Sequence, residues 1–220
     1  KRGDSAGSIG RMVDLTRWSL SILRVLDLAC LLSAAAINMR NDLGDRVGPE
    51  DSAALDYIAG RLAFDLLDYE AAHEVWTRAL ATAEETPGRD LVADLLLNLG
   101  NIARSQDRNE EAARLVHEAA AEYERQGDRT GLAQAMLSLG YMAADARQFD
   151  EARLWLDSAE PLLRSRDAAD SRAGFHHLRA VLHVEAGEYA QAEASWKRAL
   201  AAARRAGATD KEVTALQHRA

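Results

Sequence analysis

Residues 95–120 read LLLNLGNIARSQDRNEEAARLVHEAA, and this stretch decides the fold. Leu95, Leu96, Leu99, Ile102 and Ala103 recur at three- and four-residue spacings, which places them on one stripe of a helix. After a break, Ala112, Leu115, Val116 and Ala119 repeat the pattern. The break itself, Asp107-Arg108-Asn109, is polar and leaves no room for a long loop. Two helices joined by so short a turn run antiparallel and bury their stripes against each other.

The same layout recurs when the sequence is slid against itself by forty residues. Gly60, Gly100 and Gly140 coincide, with Ala180 in the fourth place. They are followed in register by Ala72, Ala112, Ala152 and Ala192, then Trp76, Val116, Leu156 and Trp196, then Ala79, Ala119, Ala159 and Ala199. The turn of each unit carries Tyr69, Asn109, Phe149 or Tyr189. Small residues let two helices approach closely, and the large one fills the space toward the neighbouring hairpin. Between units, Gly127-Asp128 and Gly207-Ala208 suit helix ends that need a positive φ, and Pro87-Gly88 marks the corresponding stop in the first unit. Asp90, Thr130, Asp170 and Asp210 are the expected N-caps of the helices that follow.

Composition agrees with an all-α chain. Hydrophobic residues make up 48% against 28% charged, only three prolines occur, and Ala, Leu, Arg and Glu dominate. No stretch alternates apolar and polar residues as a strand would. The net charge of −8, without a basic stripe, speaks against binding phosphate backbones. Twenty-four arginines against three lysines reflect the codon usage of a GC-rich genome. Cys30 is the lone cysteine, which fits a buried thiol in a reducing, cytoplasmic compartment. The apolar stretch from Trp18 to Met39 contains Arg24 and Asp27, so it reads as a helix buried by other helices and not as a membrane span.

The order Leu96, Leu99, Gly100, Ala103, Ala112, Val116, Ala119 resembles the tetratricopeptide repeat, and Met136, Leu139, Gly140, Ala143, Ala152, Leu156, Ala159 does so again. The period is forty, not thirty-four, as in kinesin light chains and large bacterial regulators. The usual closing proline is replaced by Glu84, Glu124, Arg164 and Arg204. The resemblance implies a right-handed α-solenoid of antiparallel helix hairpins. Its units would span about 50–86, 90–126, 130–166 and 170–206, and a fifth unit or capping helix would start at 210–220, the whole array running over 48–220. Residues 11–47 are expected to form an apolar helix or degenerate first hairpin that caps the array, behind a flexible tail at 1–10. The chain starts without methionine, which suggests a piece of a longer polypeptide.

No phosphate-binding loop, nucleophile elbow or metalloprotease helix motif is present. His176, His177 and His183 lack the three- or four-residue spacing that one helix face needs to hold a metal. No catalytic residue, metal ligand or cofactor is therefore expected. What the resemblance does imply is a concave groove lined by the first helix of each hairpin. Its lining would include Tyr57, Arg61 and Phe64, then Asn98, Asn101 and Arg104, then Tyr141 and Asp145, and His177. The asparagine pair resembles the asparagine-bearing helices of peptide-binding relatives, since a carboxamide matches a peptide bond's own donor and acceptor. Leu97 and Leu137 stand where a carboxylate clamp would need lysine, which disfavours capture of chaperone tails.

The expected function is that of a non-catalytic protein- or peptide-binding scaffold within a larger bacterial regulatory or signalling protein. Its partner would be a protein, a peptide or another domain of the same polypeptide, and neither nucleic acid nor a membrane. Two other readings remain at this stage: a ligand- or peptide-sensing domain of a transcriptional regulator, and an oligomerisation or docking module that pairs copies through residues 11–47.

Overall fold

The computed structural model describes residues 48–86, 89–164 and 169–206. The expected tail, the apolar segment 11–47, the Pro87-Gly88 and Gly207-Ala208 stops and the helix expected from Asp210 lie outside the described residues. Those residues form eight α-helices and no strand: α1 (Pro49–Asp65), α2 (Tyr69–Glu84), α3 (Val92–Ser105), α4 (Asn109–Gln126), α5 (Arg129–Asp145), α6 (Phe149–Ala159), α7 (Ala169–Glu185) and α8 (Tyr189–Ala206). They pair as antiparallel hairpins, α1 with α2, α3 with α4, α5 with α6 and α7 with α8. The chain divides into two compact units, one ending at Leu91 and the other beginning at Val92.

In the first unit α1 opens on Pro49, whose missing N–H costs nothing in a first turn, with Glu50 and Asp51 facing the positive end of the helix dipole. Trp76 of α2 is fully buried against Gly60 of α1. A Cβ on Gly60 would fall 2.4 Å from the indole nitrogen, so only glycine admits the ring. The indole N–H donates to the Tyr57 carbonyl at 3.0 Å, which satisfies the one polar atom of the buried ring. A second link is ionic. Asp56, 1% exposed, accepts from Arg78 Nε at 2.9 Å and from its Nη2 at 3.0 Å. That bond pushes the guanidinium pKa further up.

The second unit stacks three hairpins. In α3, Val92, Leu95, Leu96, Leu99, Ile102 and Ala103 are all buried. A Cβ on Gly100 would stand 2.7 Å from Val116 Cγ2 of α4, and one on Gly140 would stand 2.7 Å from Leu178 Cδ2 of α7. The first glycine closes a hairpin and the second lets one hairpin receive the next. Leu137, Leu156, Leu163, Phe175, Leu178 and Leu182 then form a shared core of the last two hairpins. Tyr123 of α4 lies over Gly131 of α5, and its hydroxyl donates to Asp94. Burial raises the Asp94 pKa, the Tyr123 bond opposes that shift, and the neighbouring charge of Asp128 adds to it.

All four hairpin turns share one geometry. Leu67, Asp107, Arg147 and Gly187 occupy the left-handed region, with φ of 62°, 59°, 61° and 75°. The next N–H reaches back to the carbonyl five residues earlier, at 2.8–3.0 Å in each case. This six-to-one bond closes the first helix and turns the chain directly into the second.

The structure corrects two local expectations. The N-cap of α5 is Asp128, not Thr130: its carboxylate accepts from the backbone N–H of Thr130 at 2.9 Å and of Gly131 at 3.1 Å. Asp90 lies in the turn two residues ahead of α3. The second helix of the third hairpin is also shorter than the repeat implies. Pro161 supplies no N–H for an α-type bond, and the chain tightens into a 3₁₀ segment at Glu160–Arg164.

Candidate functional site

The candidate groove residues fall into two sets, one in each unit. In the first, Arg61 is exposed and its Nε pairs with Asp65 one turn on, at 3.2 Å. Phe64 is half-buried in an aromatic cluster, 5.4 Å from Tyr69 and 5.7 Å from Trp76 between ring centroids. Tyr57 contributes its carbonyl to Trp76. Phe64 and the Tyr57 carbonyl thus help to hold the first hairpin together, while the Arg61 pair lies within α1.

In the second unit α3, α5 and α7 lie side by side, and several of the candidate residues meet across the helices. The Ser138 hydroxyl donates to Asn101 Oδ1 at 3.2 Å, joining α5 to α3. Arg104 Nη1 donates to Asp145 Oδ2 at 2.9 Å, and the same guanidinium lies 5.8 Å over the Tyr141 ring. Arg147 of the α5–α6 turn pairs with Glu185 at 3.2 Å, so an ion pair also joins that turn to the end of α7.

Tyr141 is the centre of this face. Its hydroxyl lies 2.8 Å from the Gly174 carbonyl and 2.9 Å from His177 Nδ1, both on α7. The carbonyl can only accept, so the phenol proton points to it and Nδ1 of His177 must carry a proton and donate to the phenol oxygen. Burial holds the Tyr141 pKa well above the usual phenol value, against the pull of nearby Arg104. The phenol thus keeps its proton and ties α5 to α7. Asn98 is half-buried, and its carboxamide makes no hydrogen bond among the described residues. Leu97 and Leu137 are buried, 6% and 5% exposed.

The structure therefore brings Asn101, Arg104, Tyr141, Asp145 and His177 into one linked face with Ser138, and keeps Asn98 free beside it. Ser138 and Gly174 were not among the sequence candidates. The register could have found Ser138, the mate of Asn98, whereas Gly174 contributes only a backbone carbonyl, which no side-chain pattern signals. Among the described residues no group of three or more His, Cys, Asp or Glu side chains is placed to hold a metal ion. No described helix is long and apolar enough to cross a membrane.

No family model and no curated protein sequence matches this chain. Solved structures do match its fold. BtubC (BKLC) from P. vanneervenii superposes with a TM-score of 0.62 at 16% identity, over 88% of this chain and 89% of that one. Aspartyl phosphate phosphatase F from Bacillus subtilis gives 0.70 at 13% identity, over 84% of this chain and 49% of its own. A Rap protein complexed with competence and sporulation factor gives 0.64 at 16% identity, over 82% and 56%. The chain spans about half the length of the last two. Identities this low show a shared fold, the helical-hairpin repeat of tetratricopeptide type.

Proposed function

We propose that this tetratricopeptide-type array is a non-catalytic scaffold whose inner face binds an extended peptide or protein segment. It would act as the interaction module of a larger bacterial regulatory or signalling protein in the cytoplasm. One observation carries the reading: Asn98 presents an unengaged carboxamide, next to Asn101, whose amide nitrogen stays open while its oxygen takes the Ser138 hydroxyl. Two carboxamides less than a helical turn apart can donate to and accept from a peptide backbone at once. Buried Leu97 and Leu137 lie on the same helices and supply an apolar floor. The non-catalytic part is supported by the Tyr141–His177 pair, in which the phenol keeps its proton and the imidazole nitrogen facing it is a donor.

The test is affinity selection of a peptide library on the full chain, followed by anisotropy titration of the selected peptides against the wild type and an Asn98→Ala/Asn101→Ala variant. Loss of two or three neutral hydrogen bonds should weaken binding about tenfold. Selected peptides that bind the double variant as tightly as the wild type would remove the groove assignment.

A second reading is a sensor in which ligand binding rotates neighbouring hairpins. The inter-helix links Arg104–Asp145, Arg147–Glu185 and Tyr141–His177 favour it, because they are the bonds such a rotation would exchange. A sensor of this kind gains thermal stability with ligand concentration and alters the reactivity of groups at those links. A scaffold shows the first effect without the second.

A further inference from the structure

α7 meets the hairpin before it through one row of side chains. Phe175, Leu178 and Leu182 are buried, and they share a core with Ala152, Leu156, Ala159 and Leu163. A Cβ on Gly140 would stand 2.7 Å from Leu178, so this row presses directly on the preceding hairpin. The facing row on the second helix is buried in the earlier hairpins as well, at Trp76 and Ala79 of α2 and at Val116 and Ala119 of α4. α6 and α7 are consecutive and in contact, so their rows meet in opposite order: Ala159 falls beside Phe175, Leu156 beside Leu178 and Ala152 beside Leu182.

The first hairpin carries the same receiving row. The register mates of Phe175, Leu178 and Leu182 on α1 are Leu55, Ile58 and Leu62, equally apolar and equally spaced. Among the described residues no hairpin precedes α1. Ile58 is 52% exposed, and Leu55 and Leu62 are only half-buried. Water is thus left against three aliphatic side chains at positions that are dry in α7. Three units back from Ala152, Leu156, Ala159 and Leu163 the sequence reads Leu32, Ala36, Met39 and Leu43, apolar without exception. Spacings of four, three and four residues put them on one helical face. These four lie outside the described residues.

We propose that residues 29–43 of the same chain form a helix that docks on this row of α1, with Met39 against Leu55, Ala36 against Ile58 and Leu32 against Leu62. Connectivity selects this occupant. Only five residues, 44–48, separate Leu43 from Pro49, so the segment is held beside α1 at an effective concentration of about millimolar or more, above what a second copy or a free partner reaches. Size supports it as well. Where Phe175 shrinks to Leu55, its neighbour Ala159 grows to Met39, and where Leu156 shrinks to Ala36 the next pair grows from Ala152 to Leu32, so the volume of the row is conserved. The segment would then be the first layer of the array, covering an end that every solenoid must close. The inner-face reading uses other residues and neither requires nor excludes this contact.

The experiment places cysteine pairs in the full chain. Two variants, Ala36→Cys/Ile58→Cys and Met39→Cys/Leu55→Cys, are made after Cys30→Ser has removed the native thiol. The control keeps Cys30 and adds Ile58→Cys. Cys30 is the mate of Asp150, which is exposed on α6, so a docked helix turns this thiol away from α1. Mild oxidation of dilute protein is followed by non-reducing electrophoresis and intact mass, with circular dichroism as the check on folding. Both pairs should close within one chain, about tenfold or more faster than the control and at a rate independent of protein concentration. Should one pair disturb folding, the other carries the test. Amide exchange of the unaltered chain needs no substitution, and residues 32–43 should exchange about tenfold or more slowly than an unfolded segment. Pairs that stay open, a control that closes as fast, or unprotected amides overturn the proposal. So do disulfides that join two chains and increase with concentration, which would assign the row to a second copy.

Discussion

His176 should make the array sensitive to acid, and replacing it with the methionine found at the same register in α5 should remove that sensitivity. The ring is half-buried, and burial, reinforced by Arg179, Arg198 and Arg172, pushes its pKa down to about 4 from a usual 6.5. A histidine whose folded pKa is depressed refuses a proton that the unfolded chain accepts. Its contribution is therefore complete above about pH 6.5 and is lost as pH falls from there toward about 4. With those two values the loss at pH 5 is about 2 kcal/mol, and screening by solvent around a half-exposed ring reduces it to about 1 kcal/mol.

Urea unfolding of wild type and His176→Met, followed by far-ultraviolet circular dichroism at constant ionic strength, measures this at pH 7.5, 6 and 5. At pH 7.5 the variant should be slightly the more stable, because the wild-type Nδ1 is buried without a partner. The gap should then widen by about 1 kcal/mol by pH 5, or about 0.5 M in urea midpoint at unchanged slope. Other carboxylates and histidines titrate alike in both proteins and cancel. A gap that stays constant between pH 7.5 and 5, or that closes, refutes the reasoning.

Three further outcomes are expected. Arg147→Gly relieves a left-handed φ of 61° and should stabilise by about 1 kcal/mol, while Gly187→Ala at the equivalent turn should destabilise by a similar amount in thermal melts. Gly100→Ala would set a Cβ 2.7 Å from Val116 and should cost about 1–3 kcal/mol, whereas Gly174→Ala, with nothing nearer than 3.7 Å, should gain up to about 0.8 kcal/mol of helix propensity. Arg78→Met removes both bonds that Arg78 gives the buried Asp56 carboxylate and should cost about 3 kcal/mol, most of it recovered in Asp56→Leu/Arg78→Met; limited proteolysis at the first hairpin will show whether the double variant is rescued.

The helical hairpins were legible because their signals are local. Gly60, Gly100 and Gly140 announce close approach in any register, and the three- and four-residue spacing of Leu95, Leu96, Leu99 and Ile102 needs no partner to be read. The turns were less so. Leu67, Asp107 and Arg147 adopt a left-handed backbone without being glycine, and only Gly187 advertises the geometry that all four share. At the start of α5, Asp128 and Thr130 are both competent caps, and spacing alone does not choose between them.

The inner face depended on what each polar side chain does with its neighbour. Asn98 and Asn101 are three residues apart and of the same type, yet Ser138 engages one and leaves the other open. That difference arises from a contact thirty-seven residues away and is invisible to a periodicity. The polar row on α7 was the reverse case. Its letters are plain in the sequence, but Arg172, His176, Arg179 and His183 look like an ordinary solvated face until Val92, Leu96, Leu99 and Ala103 are seen buried at the same positions. A repeat array thus supplies its own control. Residues sharing a register occupy equivalent backbone positions, so a position apolar and covered in one hairpin and polar in the next shows where the packing of the two differs.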